Sequence, residues 1–234
     1  METTKKTVGI IGGMGPLATA DLFSKIIYKT AATCDGEHIH VIIDNNPKTP
    51  DRTSAILKGT ESPLPYLVTS ANKLASIGAD FLIIPCITSH YYMDELRKAV
   101  NIPIISIVEE TAKKLIEVNT KKVALLATDG TGKSGVFDKV FAKFGIEILY
   151  PSADAQSVLM DTIYKGVKAG AEKFDTSFLN EDIRRMESEG AKCVILGCTE
   201  LPLAAKMYGI SGELIDPTDI LAEAAIKYAG YICK

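Results

Sequence analysis

SIGADFLIIPCITSH, residues 76–90, and SEGAKCVILGCTELP, residues 188–202, decide how this chain is read. Each opens Ser-x-Gly-Ala, continues through an apolar run, and ends that run on a cysteine, Cys86 or Cys198, with a threonine within two residues. Glycine marks the end of one element, and the unbroken apolar run that follows is the signature of a strand buried on both faces. A thiol at the tip of such a strand, in both copies, predicts two equivalent positions at strand carboxyl ends, where α/β proteins bind ligands.

Further matches extend the repeat outward in the same order. KTVGIIGGMG (6–15) matches KKVALLATDG (121–130) at an offset of 115, the cysteine segments match at 112, and PIISIVEETA (103–112) resembles ELIDPTDILA (213–222) at 110. A period this long is not that of a solenoid. It predicts two similar α/β lobes facing each other, with both thiols directed at one cleft. Apolar runs alternate with helix-spaced segments throughout: TVGII (7–11), HVIID (40–44), FLII (81–84), PIIS (103–106), KVALLA (122–127), IEIL (146–149), KCVIL (192–196) and ELID (213–216). In IVEETAKKLIEV (107–118), Ile107, Val108, Thr111, Ala112, Leu115 and Ile116 share one helix face. The expected fold is α/β, with mostly parallel sheets flanked by helices.

Composition narrows the function classes. The chain of 234 residues is 47% hydrophobic and 24% charged, with a formal net charge of −3, so it carries no electrostatic footprint for nucleic acid or an anionic membrane. METTKK leads directly into a short β-like run, and no apolar stretch approaches the ~20 residues that span a bilayer, which predicts a cytoplasmic protein. The five cysteines (34, 86, 193, 198, 233) form no CxxC pair, and with His38, His40 and His90 they lack the clustering of a structural zinc site. Cys193 within a strand, Cys34 near a helix end and Cys233 beside the terminus read as structural thiols.

Two glycine-bearing stretches compete for attention. Gly13-Met14-Gly15-Pro16-Leu17-Ala18 satisfies a loose dinucleotide fingerprint, but the acidic Asp44 lies nearer thirty than twenty residues on. A tight strand-to-helix turn, or a turn whose N–H groups face the cleft, both remain open. Ala127 through Ser134, ATDGTGKS, fits a permissive phosphate-loop pattern with Lys133, although no apolar strand downstream ends in a well-placed aspartate. A nucleotide-binding protein using Lys133 is therefore the rival reading.

The paired thiols suggest different chemistry. A thiolate where a strand meets a helix N-terminus is stabilised by the helix dipole. Two thiols across one substrate, one ionised and one protonated, can take a proton from one face of a carbon and return one to the other.

GGMGP (12–16), NPKTPDRT (46–53), PCITSH (85–90), IYKGVKAG (163–170) and GCTELP (197–202) together resemble the cofactor-independent aspartate/glutamate racemase family, in its aspartate racemase branch. The resemblance runs in order along essentially the whole chain. It implies two α/β lobes with the site between them, the final helix returning to the first lobe, so that residues 1–106 with 217–234 form one lobe and 107–216 the other. It implies that Cys86 and Cys198 are the proton donors and acceptors, with no PLP, metal or nucleotide, and that the chain forms a homodimer. Cys198 is assigned to the L-enantiomer and Cys86 to the D-enantiomer. Arg52 and Lys168 match the positions that hold the substrate's side-chain carboxylate, a planar fork beside a mobile point charge. Tyr164, one helical turn before Lys168, is expected beside it or in the core. Thr88, Ser89 and Thr199, with the adjoining amides and Met14 in the glycine-rich turn, are expected around the substrate. Glu200 and His90 would tune the thiols or orient the ammonium, with a solvent-facing or capping role as the alternative for either. Ile87 departs from the family, which usually has asparagine there. That departure leaves altered specificity, or a catalytically weak amino-acid-binding relative, as further readings.

Overall fold

The computed structural model describes residues 5–234. Among the described residues eight strands form two parallel sheets: β1 (Val8–Gly12), β2 (Val41–Asn45), β3 (Phe81–Ile83) and β4 (Ile104–Ile105) in the order β2-β1-β3-β4, and β5 (Lys122–Ala127), β6 (Glu147–Leu149), β7 (Val194–Gly197) and β8 (Leu214–Ile215) in the order β6-β5-β7-β8. All eight apolar runs become strands. The repeat is thus a repeat of topology, since first, second, third and fourth strands occupy the same places in each sheet. In register, β1 pairs Val8 with Phe81 of β3, and β5 pairs Ala124 with Val194 of β7.

Among the described residues eleven α-helices connect and cover the strands: α1 (Pro16–Lys29), α2 (Arg52–Lys58), α3 (Leu64–Ser76), α4 (Met93–Ala99), α5 (Ile107–Glu117), α6 (Asp129–Ser134), α7 (Val136–Lys143), α8 (Ala153–Asp161), α9 (Ser177–Ser188), α10 (Leu201–Tyr208) and α11 (Pro217–Tyr228). Leu67, Ala71 and Leu74 of α3, with Leu96 of α4, cover Leu82 on the outer face of the first sheet. Leu159, Leu179, Ile183 and Leu201 cover Leu126 and Leu196 of the second. The inner faces share a single core, in which Val8 and Ile10 join Val123 and Leu125 through Leu22, Leu115, Phe137, Phe141 and Leu221. Burying each such side chain contributes about 1.5–3 kcal/mol, so this shared core resists separation of the lobes at the helix-covered side.

The chain end reinforces that side. Lys25 of α1 reaches Asp216, the N-cap of α11, at 2.6 Å. Beyond α11, Ala31 N donates to Ile232 O at 2.8 Å and Lys234 N to Lys29 O at 2.8 Å. At the opposite side, beyond the strand carboxyl ends, short helices and the loops around them join the lobes, α6 of the second packing on α2 of the first. Among the described residues no helix is long and apolar enough to cross a membrane.

Candidate active site

Most segments at the meeting edge follow a strand. After β1, Gly13 adopts φ +92°, and a Cβ there would lie 2.3 Å from the Asn46 backbone, so only glycine permits the first two loops to touch. Gly13 N donates to Thr19 Oγ1 at 2.9 Å, fixing the turn on its own helix. The turn's sequence requirement is steric, and Met14 is carried over the cleft.

The loop after β2 delivers Arg52. Asp51 caps α2 by accepting from Ser54 N at 2.7 Å, which sets Arg52 as the first helical residue. The guanidinium is buried. Nη1 donates to the carbonyls of Thr49 (3.3 Å) and Pro50 (3.1 Å), and Nη2 to that of Met14 (3.3 Å). Its Nε is buried without a partner, a donor in waiting. Burial opposes its charge, but the Cys86 sulfur together with Asp51 and Tyr164 outweighs it and raises the Arg52 pKa.

Cys86 follows β3 and stands at the N-cap of a six-residue 3₁₀ helix, Ile87–Tyr92. His90 braces it from behind: Nδ1 lies 3.1 Å from Cys86 O, and Nε2 accepts from Ile107 N at 3.3 Å. These partners require the Nδ1–H tautomer. Burial pulls the His90 pKa down to about 4, so the ring is neutral at physiological pH and acts as a strut between the thiol loop and α5.

Cys198 follows β7 at the equivalent place. Gly197 before it is obligatory, because a Cβ there would meet Leu125 Cδ1 at 2.6 Å and Leu126 O at 2.9 Å. Cys198 Sγ donates to Glu200 Oε2 at 3.0 Å, and Glu200 Oε1 lies 3.6 Å from Lys168 Nζ. Burial, then the Glu200 carboxylate, pushes the Cys198 thiol well above its ordinary value. Lys168 itself is raised: burial works against its charge, but Glu200 and the neighbouring sulfurs outweigh it. Lys168 follows a π-helical turn, Thr162–Val167, that continues α8. The widened turn places Tyr164 under the ammonium, with Nζ 4.8 Å from the ring centroid.

Both sulfurs line one enclosed cavity of about 20 Å³, together with Met14, Arg52, Ile87, Thr88, Lys168, Thr199 and Glu200. That is room for about one water. Outside it lies a vestibule of about 460 Å³, and Met14, Asp51, Arg52, Lys168 and Glu200 line both spaces. Those five residues stand between the two spaces. A wider open groove of about 810 Å³ beside β2 and α3 contains neither thiol.

Several sequence expectations change on this geometry. Ser89 is not in the cavity wall, and its hydroxyl turns to Met14 Sδ at 3.5 Å. Lys133 is exposed and outside the cavity. The phosphate-loop pattern around it forms the short helix α6, whose N-cap Thr128 accepts from Thr131 N at 3.2 Å. Asp51, Thr53 and Thr128 are wall residues that sequence reasoning did not single out.

The chain as a whole has known relatives. The profile of the family described as Asp/Glu/Hydantoin racemase matches residues 11–225. The broad specificity amino-acid racemase RacX of Bacillus subtilis (strain 168) is 28% identical over 229 residues, covering 96% of this chain and 99% of that protein. Among solved structures, Picrophilus torridus aspartate racemase superposes with a TM-score of 0.83 at 31% identity, over 98% of this chain and 96% of that one. An aspartate racemase homologue from Pyrococcus horikoshii OT3 gives a TM-score of 0.76 at 27% identity, over 96% and 99% of the respective chains.

Proposed function

This chain belongs to the Asp/Glu/hydantoin racemase family, and from that premise we propose that it inverts the α-carbon of acidic amino acids, aspartate first, without a cofactor. One observation carries the reading: thiols from equivalent strand tips of two lobes line the same closed cavity as two cations, Arg52 and Lys168.

In the proposed reaction Cys86, the sulfur facing the Arg52 guanidinium, acts as thiolate and removes the α-proton of D-aspartate. Cys198, kept protonated by burial and by Glu200, delivers its proton to the opposite face and yields L-aspartate. The roles reverse for the L-enantiomer, with Cys198 as the base. The carbanion is stabilised by polar groups of the cavity wall, Thr88 and Thr199, in a space that holds little water. The free Nε of Arg52 and the loosely held ammonium of Lys168 receive the side-chain carboxylate. On this reading the substrate ammonium takes over Glu200, so the Lys168–Glu200 contact is exchanged for two contacts with substrate. The proposed assembly is a homodimer, which light scattering tests.

A wider substrate range is the second reading, favoured by Ile87 in the cavity wall and by the broad specificity of the Bacillus subtilis relative. Racemisation of a panel of L-amino acids, followed by polarimetry with wild type and Lys168→Ala, separates the two. Acidic selectivity predicts that aspartate leads the panel and that Lys168→Ala erases its lead. Equal rates for aspartate, alanine and lysine in the wild type would refute it.

A further inference from the structure

The stretch ATDGTGKS (127–134), which resembles a phosphate loop in sequence, takes part in the contact between the lobes. Gly130 of α6 presses on α2 so closely that a Cβ would lie 2.7 Å from Thr53 Oγ1 and 2.8 Å from Thr53 Cα. The second of those atoms is backbone, so relief would require movement of α2, which begins with Arg52. One residue on, Thr131 crosses to the other thiol loop: its Oγ1 lies 2.8 Å from Thr88 Oγ1. Thr128 Oγ1 donates to Thr131 Oγ1 at 3.1 Å and lies 3.4 Å from Thr88 Oγ1. All three hydroxyls are buried, yet only Thr88 and Thr128 line the cavity.

We propose that Gly130 and Thr131 form a latch from the second lobe that positions the substrate-binding segments of the first. This rests on the racemase reading and deepens it. Thr128 accepts the Thr131 N–H as a helix cap and gives its own proton to Thr131 Oγ1. Thr131 then donates to Thr88, and the Thr88 proton is left to point into the cavity. The chain of hydroxyls is polarised in one direction, so Thr88 meets an anionic group as a donor. Gly130, meanwhile, sets how near Arg52 stands to the second lobe. Thr131 touches neither cavity nor substrate and is a positioning residue.

Aspartate affinity by calorimetry, together with KM and kcat for its racemisation, tests the latch in Thr131→Val, Thr131→Ser and Gly130→Ala. Valine keeps the shape and removes the hydroxyl, so Kd and KM rise about tenfold while kcat stays within about threefold, the loss expected for one hydrogen bond serving a charged group. Serine restores both to within about twofold of wild type. Gly130→Ala weakens binding at least as much as valine at 131. Wild-type affinity in Thr131→Val, or a serine variant as weak as valine, overturns the proposal even if the wild type racemises aspartate well. Conversely, a wild type that binds aspartate without inverting it, with the latch variants still weakened, strikes at the racemase reading and leaves the latch standing.

Discussion

The two thiol loops occupy matching places in matching sheets, yet their surroundings are opposite. Cys198 has a carboxylate 3.0 Å away, two residues on in its own chain. Cys86 has hydrophobic Ile87 next in sequence and receives its charged neighbour, Arg52, from a different loop of its lobe. Duplicated topology thus supplies two equivalent sulfurs, and the loops give them neighbours of opposite charge, a carboxylate for Cys198 and a guanidinium for Cys86. A two-base reaction requires that asymmetry, because two thiols or two thiolates could not both donate and accept.

The largest effect comes from removing either member of the pair. Cys86→Ala and Cys198→Ala should each lower aspartate racemisation by about a thousandfold or more, measured by polarimetry, while the fold persists by circular dichroism. A variant that keeps a tenth of wild-type turnover would show that the two loops are not partners.

Next comes the cation on the Cys86 side. Arg52→Ala removes three hydrogen bonds to loop carbonyls as well as the free Nε, and should lower kcat/KM for aspartate by about a hundredfold or more. Arg52→Lys restores charge without the fork and should recover only part of it. Full recovery by lysine would mean that a point charge suffices there.

The carboxylate on the Cys198 side is sharper in kind though smaller in size. Burial and then Glu200 raise the Cys198 pKa, so Glu200→Gln removes the second cause and must move the thiol's titration to lower pH. Thiolate absorbance against pH, in a background where Cys34, Cys86, Cys193 and Cys233 are replaced by alanine so that Cys198 is the one thiol left, reads this directly, and an upward or absent shift would contradict the account. The raised thiol also has a stability consequence. Its folded pKa lies above its unfolded one, so the contribution is complete below the ordinary thiol range and is lost as pH rises towards the folded value. Glu200→Gln should therefore flatten the alkaline loss of stability in melting experiments.

Smallest is Ile87→Asn, which puts an amide in the cavity wall where the related racemases usually carry one. KM for aspartate should fall a few-fold at most, with any loss confined to apolar substrates. A large gain would mean that Ile87, rather than the thiol asymmetry, limits this protein.

Much of this architecture is legible before any coordinates. Eight apolar runs predict eight strands because buried parallel strands are written without alternation. The matched segments at 76–86 and 188–198 predict that the sulfurs converge, since topology alone carries both to strand tips. Arg52, Lys168 and Glu200 are legible through the family resemblance, which links positions far apart in the chain. Thr53 and Thr128 were not legible, because a threonine's pattern is the same whether it caps a helix, fills a core or lines a cavity. The π-helical turn at 162–167 was hidden as well. Its residues have ordinary helical spacing, and Gly166, where a Cβ would stand 3.1 Å from Tyr208, is the one local hint that the turn is pressed against α10. Ser89 misled for a similar reason: after a strand tip a 3₁₀ turn sends successive side chains in directions that spacing cannot assign.

Proton NMR of L-aspartate incubated in heavy water, with the enantiomers resolved by a chiral derivatising agent, tests the central claim most directly, because it follows the α-hydrogen that the proposed relay exchanges. With wild type, deuterium should appear at the α-carbon of D-aspartate well before it appears in the remaining L-aspartate, and inversion should vanish in Cys86→Ala and Cys198→Ala alike. Simultaneous labelling of both enantiomers from the outset, or undiminished inversion in either variant, would contradict a proton relay between opposed thiols.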